Sequence, residues 1–300
     1  MEKKLSKQMN NLIIKQINEL LLKSIPCSPL DTNLEESMRY SLEAGGKRIR
    51  PLLLLETLKM LSDSSDYSKG LQTATALEMV HTYSLIHDDL PAMDNDDYRR
   101  GKPTNHKIYE EWKALLAGDA LLTKAFHLIS TDALLDAETR IKLVGSLSNA
   151  SGHLGMIGGQ TLDMESENKK ISLETLQQIH KEKTGALLTF AIMAAVTIVK
   201  PTNEISNILY NYSEHLGLIF QIKDDLLDVY GDEKKLGKPV GSDEKNHKNT
   251  YVTLLGQDET EIKLEYHVNQ AENSLAQLKN SGYDTAQLEE LTKLFYNRDH

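Results

Sequence analysis

Apolar residues recur every third or fourth position through nearly the whole chain, and no run alternates with the period of two that a half-buried strand requires. That pattern restricts the chain to helices packed on helices. Leu5, Met9, Leu12, Ile13, Ile17, Leu20 and Leu21 mark one helix face, which Pro26 and Pro29 must end. Leu34, Met38 and Leu42 mark the next, with Asp31 or Thr32 as its N-cap. The same spacing predicts helices over about 51–61, 70–90, 104–131, 138–151, 172–199, 204–230, 250–256, 259–280 and 284–297. No repeat, low-complexity tract or long linker divides them. The expectation is an all-α fold, one domain over residues 1–300 built as a bundle of many helices.

Two aspartate clusters stand out against this background, Asp88-Asp89-Leu-Pro-Ala-Met-Asp94 and Asp224-Asp225-Leu-Leu-Asp228. Each follows an apolar helical run and lies where that helix must stop, at Pro91 or before Gly231. A helix C-terminus carries partial negative charge, so each carboxylate there is unfavourable by roughly 0.3–1 kcal/mol. Cations that neutralise the clusters resolve the conflict. Hard oxygen donors with no Cys or His cluster point to Mg²⁺, which keeps waters and shares its shell with substrate phosphates. Asp224 and Asp228 are four apart and share a helix face. Asp88 and Asp94 would splay by roughly 120° on an ideal helix, so the chain must curl after Pro91 to bring them together. A Ca²⁺ loop starting at Asp94 is excluded, because Arg99 and Asn105 occupy its glycine and glutamate positions.

Charge and composition narrow the class further. The net charge of −10 argues against nucleic-acid binding. The single cysteine, Cys27, excludes an internal disulfide framework and fits a cytoplasmic location. No apolar segment follows the charged start Met-Glu-Lys-Lys-Leu-Ser-Lys, so no signal peptide is expected. The longest apolar stretch, 186–199, is too short to span a bilayer and reads as a helix buried on all sides.

Basic residues concentrate near the acidic ones. Gly45-Gly46-Lys47-Arg48-Ile49-Arg50-Pro51 is not a phosphate-binding P-loop, since Ser41 and Arg48 occupy two of its fixed positions. Its glycines nevertheless let backbone approach an anion, and its cations suit phosphate. Arg99 and Arg100 directly follow the first aspartate cluster, and an anion bridging them relieves their repulsion. Lys183-Thr184-Gly185 precedes the buried helix, Phe220-Gln221 precedes the second cluster, and Lys238 and Lys248 follow it. His81 and Gln160 read as satisfied core polar groups. Gly152-His-Leu-Gly-Met-Ile-Gly-Gly159 has no preceding strand, so it marks a close helix approach or a helix break, not a dinucleotide site.

In this combination the motifs resemble the trans-prenyl diphosphate synthases, in order from about Leu34 to His300. The likeness is strongest to bacterial members that make farnesyl diphosphate. It implies a helical bundle around a central cavity, working as a cytoplasmic homodimer. It implies that Asp88, Asp94, Asp224 and Asp228 bind three Mg²⁺, with Mn²⁺ able to substitute. Arg99, Lys183, Thr184, Gln221, Lys238 and Lys248 then contact the allylic diphosphate, while Lys47, Arg50, His81 and Arg100 hold isopentenyl diphosphate. Catalysis falls to Asp88, Asp94, Arg99, Lys183 and Asp224, through ionisation of dimethylallyl and then geranyl diphosphate.

Product length is the finer question. Tyr83, five positions before Asp88, resembles the aromatic residue that stops growth at fifteen carbons, with Ser84 beside it leaving room. The nearest alternative is a geranylgeranyl diphosphate synthase. A terpene cyclase needs only one diphosphate site, against which the Gly-Gly-Lys-Arg-Ile-Arg segment argues. A silent partner subunit usually lacks one aspartate motif, and here both are present. Tyr98 departs mildly from the family, whose members usually carry Leu there.

Overall fold

The computed structural model describes residues 2–27, 29–30, 32–62, 64, 66–230 and 249–297; Asp31, Lys238 and Lys248 lie outside the described residues. The helices are α1 (Glu2–Lys23), α2 (Leu34–Glu43), α3 (Ile49–Ser62), α4 (Leu71–Asp88), α5 (Asn105–Tyr109), α6 (Glu111–Ser130) and α7 (Ala137–Ser151). They continue as α8 (Met156–Glu165), α9 (Leu173–His180), α10 (Ala186–Val199), α11 (Asn203–Tyr230), α12 (Tyr251–Leu255), α13 (Gln257–Asn280) and α14 (Ala286–Tyr296). The fold is all-α. The only extended structure among the described residues is one antiparallel pair, β1 (Tyr98–Arg99) against β2 (Lys102–Pro103). The chain clusters into two compact units, Met1–Leu55 with Asp66–Val144 and Glu56–Ser65 with Gly145–His300.

Several boundaries differ from the sequence reading for identifiable reasons. The helix expected over 104–131 breaks at Glu110, whose φ of 72° no glycine or proline announces. The helix expected over 172–199 is interrupted by a π-turn, Lys181–Gly185. Gly155, at φ −134° and ψ −128°, supplies the expected break in the glycine-rich stretch, but a further helix, α8, starts directly after it. Asn33, not Thr32, precedes α2, and it makes no side-chain cap. Along α1, Ile13, Ile17 and Leu21 are buried as expected, whereas Leu12 is exposed.

In the first unit α4 is the central helix. Leu77, Met79 and Val80 are fully buried, and α4 packs most extensively against α6. His87, near the end of α4, reaches the Leu115 carbonyl of α6 at 3.0 Å. The surroundings of Trp112 differ: Trp112, Leu115 and Leu116 on α6 are all exposed.

In the second unit the long helix α11 packs on α10, α13 and α14. The stretch Leu173–Val199 is apolar and long enough, by length and composition, to cross a membrane. Its apolar half is a core helix, however: Leu187, Leu188, Phe190, Ala191 and Ile192 are all buried. Tyr212 of α11 shares a 2.7 Å hydrogen bond with Thr292 of α14.

His215 of α11 and His267 of α13 meet through their Nδ1 atoms at 3.0 Å. That contact needs one ring to donate and the other to accept, so the accepting ring must be neutral and the two cannot both be protonated. Burial, then the charges of His215 and Lys263, hold the His267 imidazole down at about 4. Folding therefore favours the neutral ring, and an unfolded chain takes up the proton first. This stabilisation is complete above the ordinary histidine range and is lost as pH falls from about 6.5 towards 4. The melting temperature should drop across that window, and less steeply in His267→Gln, which keeps hydrogen-bonding capacity without titrating. Parallel melting curves for the two proteins would refute the linkage.

Candidate active site

The first aspartate motif begins where α4 ends. After Asp88 the chain turns back, with Met93 N–H donating to the Leu90 carbonyl at 2.8 Å and Asp94 N–H donating to the Asp88 carbonyl at 2.9 Å. The curl expected after Pro91 is therefore present, and it brings Asp94 beside Asp88. The intervening Asp89 is buried and takes a different partner. Arg99 Nε donates to its two carboxylate oxygens at 2.7 and 3.0 Å, and Arg99 Nη2 lies 2.6 Å from Oδ1. Burial raises the Asp89 carboxyl above the usual carboxylate range, against the opposing hydrogen bond and charge of Arg99.

The β1–β2 ribbon carries Arg99 and turns through Arg100 and Gly101. Arg100 then lies over Gly46 of the upstream basic segment. A Cβ at Gly46, whose φ is +140°, would stand only 2.5 Å from Arg100 Nη1. The space this glycine leaves is filled by a guanidinium, so the two basic motifs meet there. Lys47 is exposed, and Arg48 turns inward to Glu78. Loss of solvent, then the charges of Arg50, Arg100, Arg99 and Arg48, hold the His81 imidazole well below its usual range. His81 thus stands within a field of four guanidinium groups that oppose its protonation.

Tyr83 is buried, and its ring meets His87 edge-on with centroids 5.5 Å apart. Burial, then the charges of Asp88 and Asp119, push its phenol up to about 12. Its hydroxyl has no hydrogen-bond partner among the described residues. Ser84 Oγ instead donates to the His81 carbonyl at 2.9 Å.

The second unit carries the remaining described candidates. Lys183 and Thr184 lie in the π-turn, a geometry frequent at functional sites because it departs from helical register. Lys183 Nζ pairs with Asp163 Oδ2 of α8 at 2.6 Å. Thr184 Oγ1 donates to Gln221 Oε1 of α11 at 3.0 Å, so two separated motifs come together. Gly159 makes this possible: a Cβ there would stand 2.2 Å from the Lys183 backbone nitrogen. The expected close helix approach is borne out at this residue.

On α11, Asp224 is partly exposed while Asp225 and Asp228 are buried. Asp225 Oδ2 accepts the Tyr251 backbone N–H at 2.7 Å. Asn249 Nδ2 donates to the Ser166 and Lys169 carbonyls at 3.1 and 2.9 Å, fastening the same stretch of chain.

Three carboxylates were absent from the candidate residues drawn from sequence: Asp89, Asp163 and Asp225. Asp89 and Asp225 are adjacent to expected metal ligands, which concealed their separate partners. Asp163 stands four residues after Gly159, a helical spacing that could have tied it to that glycine's neighbourhood. Gln160 also differs from expectation, since its Oε1 is buried without a hydrogen-bond partner among the described residues.

The profile of the Polyprenyl synthetase family matches residues 31–283. Farnesyl diphosphate synthase from Geobacillus stearothermophilus is 49% identical over 269 residues, covering 89% of each chain. Geranylgeranyl diphosphate synthase from Cyanophora paradoxa is 44% identical over 266 residues, covering 88% of each. A solved geranyltransferase from Helicobacter pylori, complexed with magnesium and isoprenyl diphosphate, superposes with a TM-score of 0.86 at 33% identity over 98% of both chains. The chain belongs to the polyprenyl synthetase family. Its activity class is that of a prenyltransferase of isoprenoid biosynthesis.

The contact at Gly159 gives a sharp test. Alanine in a helix interior ordinarily stabilises by roughly 0.5–1 kcal/mol relative to glycine. At Gly159 the added methyl must displace the π-turn backbone, an overpacking cost of roughly 1–3 kcal/mol. Gly159→Ala should therefore lower the melting temperature and reduce turnover together. A stabilised variant with normal turnover would show that the close approach does not matter.

Proposed function

We propose that this chain, acting as one functional domain, condenses isopentenyl diphosphate head-to-tail with dimethylallyl diphosphate and then with geranyl diphosphate, giving farnesyl diphosphate. The observation that carries the reading is that the first aspartate motif lies against Arg99, which grips Asp89 and feels the charge of Asp88. Asp88 and Asp94 accompany Arg99, Arg100 and the His81 cluster. Asp224 and Asp228 share the second unit with Lys183, Thr184 and Gln221.

The carboxylates fit Mg²⁺. They are hard oxygen donors, the class Mg²⁺ prefers, and Mg²⁺ completes its shell with waters and substrate phosphate oxygens. Asp88, Asp94, Asp224 and Asp228 would hold three Mg²⁺, or Mn²⁺ in their place. When bound, these ions neutralise charge developing on the departing diphosphate.

The side chains have separable tasks. Arg99, Lys183, Thr184 and Gln221, with Lys238 and Lys248, hold the allylic diphosphate and stabilise its negative charge as the carbon–oxygen bond breaks. Lys47, Arg50, His81 and Arg100 hold the diphosphate of isopentenyl diphosphate and present its double bond to the allylic carbon. The double bond's electron pair forms the new carbon–carbon bond. A proton then leaves to the released diphosphate. A neutral His81 can accept or donate a hydrogen bond without adding repulsion among the guanidinium groups.

Tyr83 supports a fifteen-carbon product. It is buried on α4, within electrostatic reach of Asp88, and its ring gives way only if the helix repacks. We assign it as the floor that stops growth, with Ser84 beside it. The geranylgeranyl alternative retains one point in its favour, the similarity to the Cyanophora paradoxa synthase. The exposed Trp112, Leu115 and Leu116 of α6 support a homodimer that covers them. A cytoplasmic location completes the proposal.

Excess chelator should abolish product formation, and added Mg²⁺ should restore it. Asp88→Ala and Asp224→Ala should each lower kcat by orders of magnitude with the fold intact, because each removes a ligand acting mainly in the transition state. Steady-state kinetics beside a melting curve checks this; near-normal turnover in either variant would remove that residue from the metal site.

Tyr83→Ala should shift product from fifteen carbons towards twenty or more while preserving the early condensations. A residue that served packing alone would instead cost roughly 3–5 kcal/mol of stability with product length unchanged. Chromatography of dephosphorylated products distinguishes the two outcomes.

A further inference from the structure

We infer that Asn105 is a positioning residue, which with Tyr40 seats the β1–β2 ribbon on α2 so that Arg100 is set over Gly46. The inference rests on the prenyl-transfer reading, in which Arg100 holds isopentenyl diphosphate, and adds residues that act through that arginine.

A ribbon with two residues in each strand cannot hold its own place, since an isolated two-stranded pair is marginal in water. Close packing does not hold it either. The ribbon, α2 and α4 border a cleft of about 390 Å³, lined by Tyr40, Ser41, Ala44, Arg99 and Arg100 among others. Polar contacts therefore set the ribbon's distance from α2. Asn105 follows β2 by two positions and is only 3% exposed. Its Oδ1 accepts from Ser37 Oγ, and its Nδ2 donates to the Ser37 carbonyl and to Ser41 Oγ, each at 2.8 Å. A carbonyl can only accept, which fixes the orientation of the amide. Beside it, Tyr40 Oη donates to the Pro103 carbonyl of β2 at 2.7 Å. Ser37, Tyr40 and Ser41 stand at i, i+3 and i+4, so one face of α2 carries the whole clamp.

The same helix runs directly into Ala44, Gly45 and Gly46. One basic motif thus leaves α2 at its C-terminus, while the other is fastened to its side. The register between them places the Arg100 guanidinium in the space that Gly46 leaves. Arg99, on the same ribbon, is held a second time by Asp89 at the end of α4. A loosened clamp should therefore displace Arg100 more than Arg99, and isopentenyl diphosphate should suffer more than the allylic substrate.

Tyr40→Phe removes one hydrogen bond and keeps the edge-on ring contact with Tyr109 at 5.6 Å, so the fold should stay intact. It should raise KM for isopentenyl diphosphate about two- to tenfold and leave KM for geranyl diphosphate unchanged. Asn105→Ala strands three polar partners at once and should raise the same KM about tenfold or more. In an Arg100→Ala background neither substitution should add to the increase, because the group they position is gone. Hydrogen exchange at the amides of residues 98–102, measured without substrate, should quicken in both variants.

An equal rise in KM for both substrates, or full additivity with Arg100→Ala, would overturn the inference. So would a lowered melting temperature with both KM values unchanged, the result expected of contacts that serve stability alone. Should Asn105→Ala fail to fold, Tyr40→Phe carries the same test. If Arg100→Ala itself leaves KM for isopentenyl diphosphate unchanged, the functional reading fails instead. Hydrogen exchange then decides whether Asn105 and Tyr40 seat the ribbon, and exchange at the wild-type rate would show that they do not.

Discussion

The first unit depends on one buried guanidinium. Arg48 is only 4% exposed, yet each of its donor nitrogens is met from a different helix. Asn18 of α1 accepts from Nε at 2.9 Å, Glu78 of α4 from Nη1 at 2.8 Å, and the Leu42 carbonyl of α2 from Nη2 at 2.6 Å. An unpaired charge in such a place is destabilising by roughly 3–5 kcal/mol, so these helices can assemble only in the arrangement that satisfies it. Arg48 also has a φ of 49°, which turns the backbone just before α3 begins. Placement of the neighbouring cations depends on this knot. A basic segment that reads as three equivalent charges therefore contains one structural charge flanked by Lys47 and Arg50.

A second constraint is the placement of carboxylates at the end of α4 and towards the end of α11. The structure answers part of it with protein. Asp89 is matched by Arg99 and Asp225 by a backbone N–H. The same economy governs the cations: Arg99 rests against Asp89, and Lys183 against Asp163.

Much of this was legible in the sequence because period and punctuation are local properties. Most helices fall where the spacing of apolar residues puts them, and the return of Asp94 to Asp88 comes from Pro91 and simple angular arithmetic. Contacts between segments were not legible. Nothing local announces that Arg100 will cover Gly46, that Lys183 will find Asp163, or that Asp225 will bind the Tyr251 backbone. The break at Glu110 was missed because the chain there uses a strained φ without glycine. The π-turn was missed because it opens with the good helix formers Lys181, Glu182 and Lys183 and only its hydrogen-bond register is unusual.

That π-turn carries a consequence for how such a site can change. A stretch with one surplus residue per turn is a helix that has absorbed an insertion without lengthening its ends. The apolar faces of α9 and α10 keep their phase with the core, while Lys183 and Thr184 are thrown out of phase with both. Each residue in an ordinary helix advances the direction of its side chain by about 100°. Gain or loss of a single residue between His180 and Ala186 would therefore rotate the lysine and threonine away from their partners. The chain offers a vernier, a place where one codon resets which groups are aimed and the scaffold on either side stays in register.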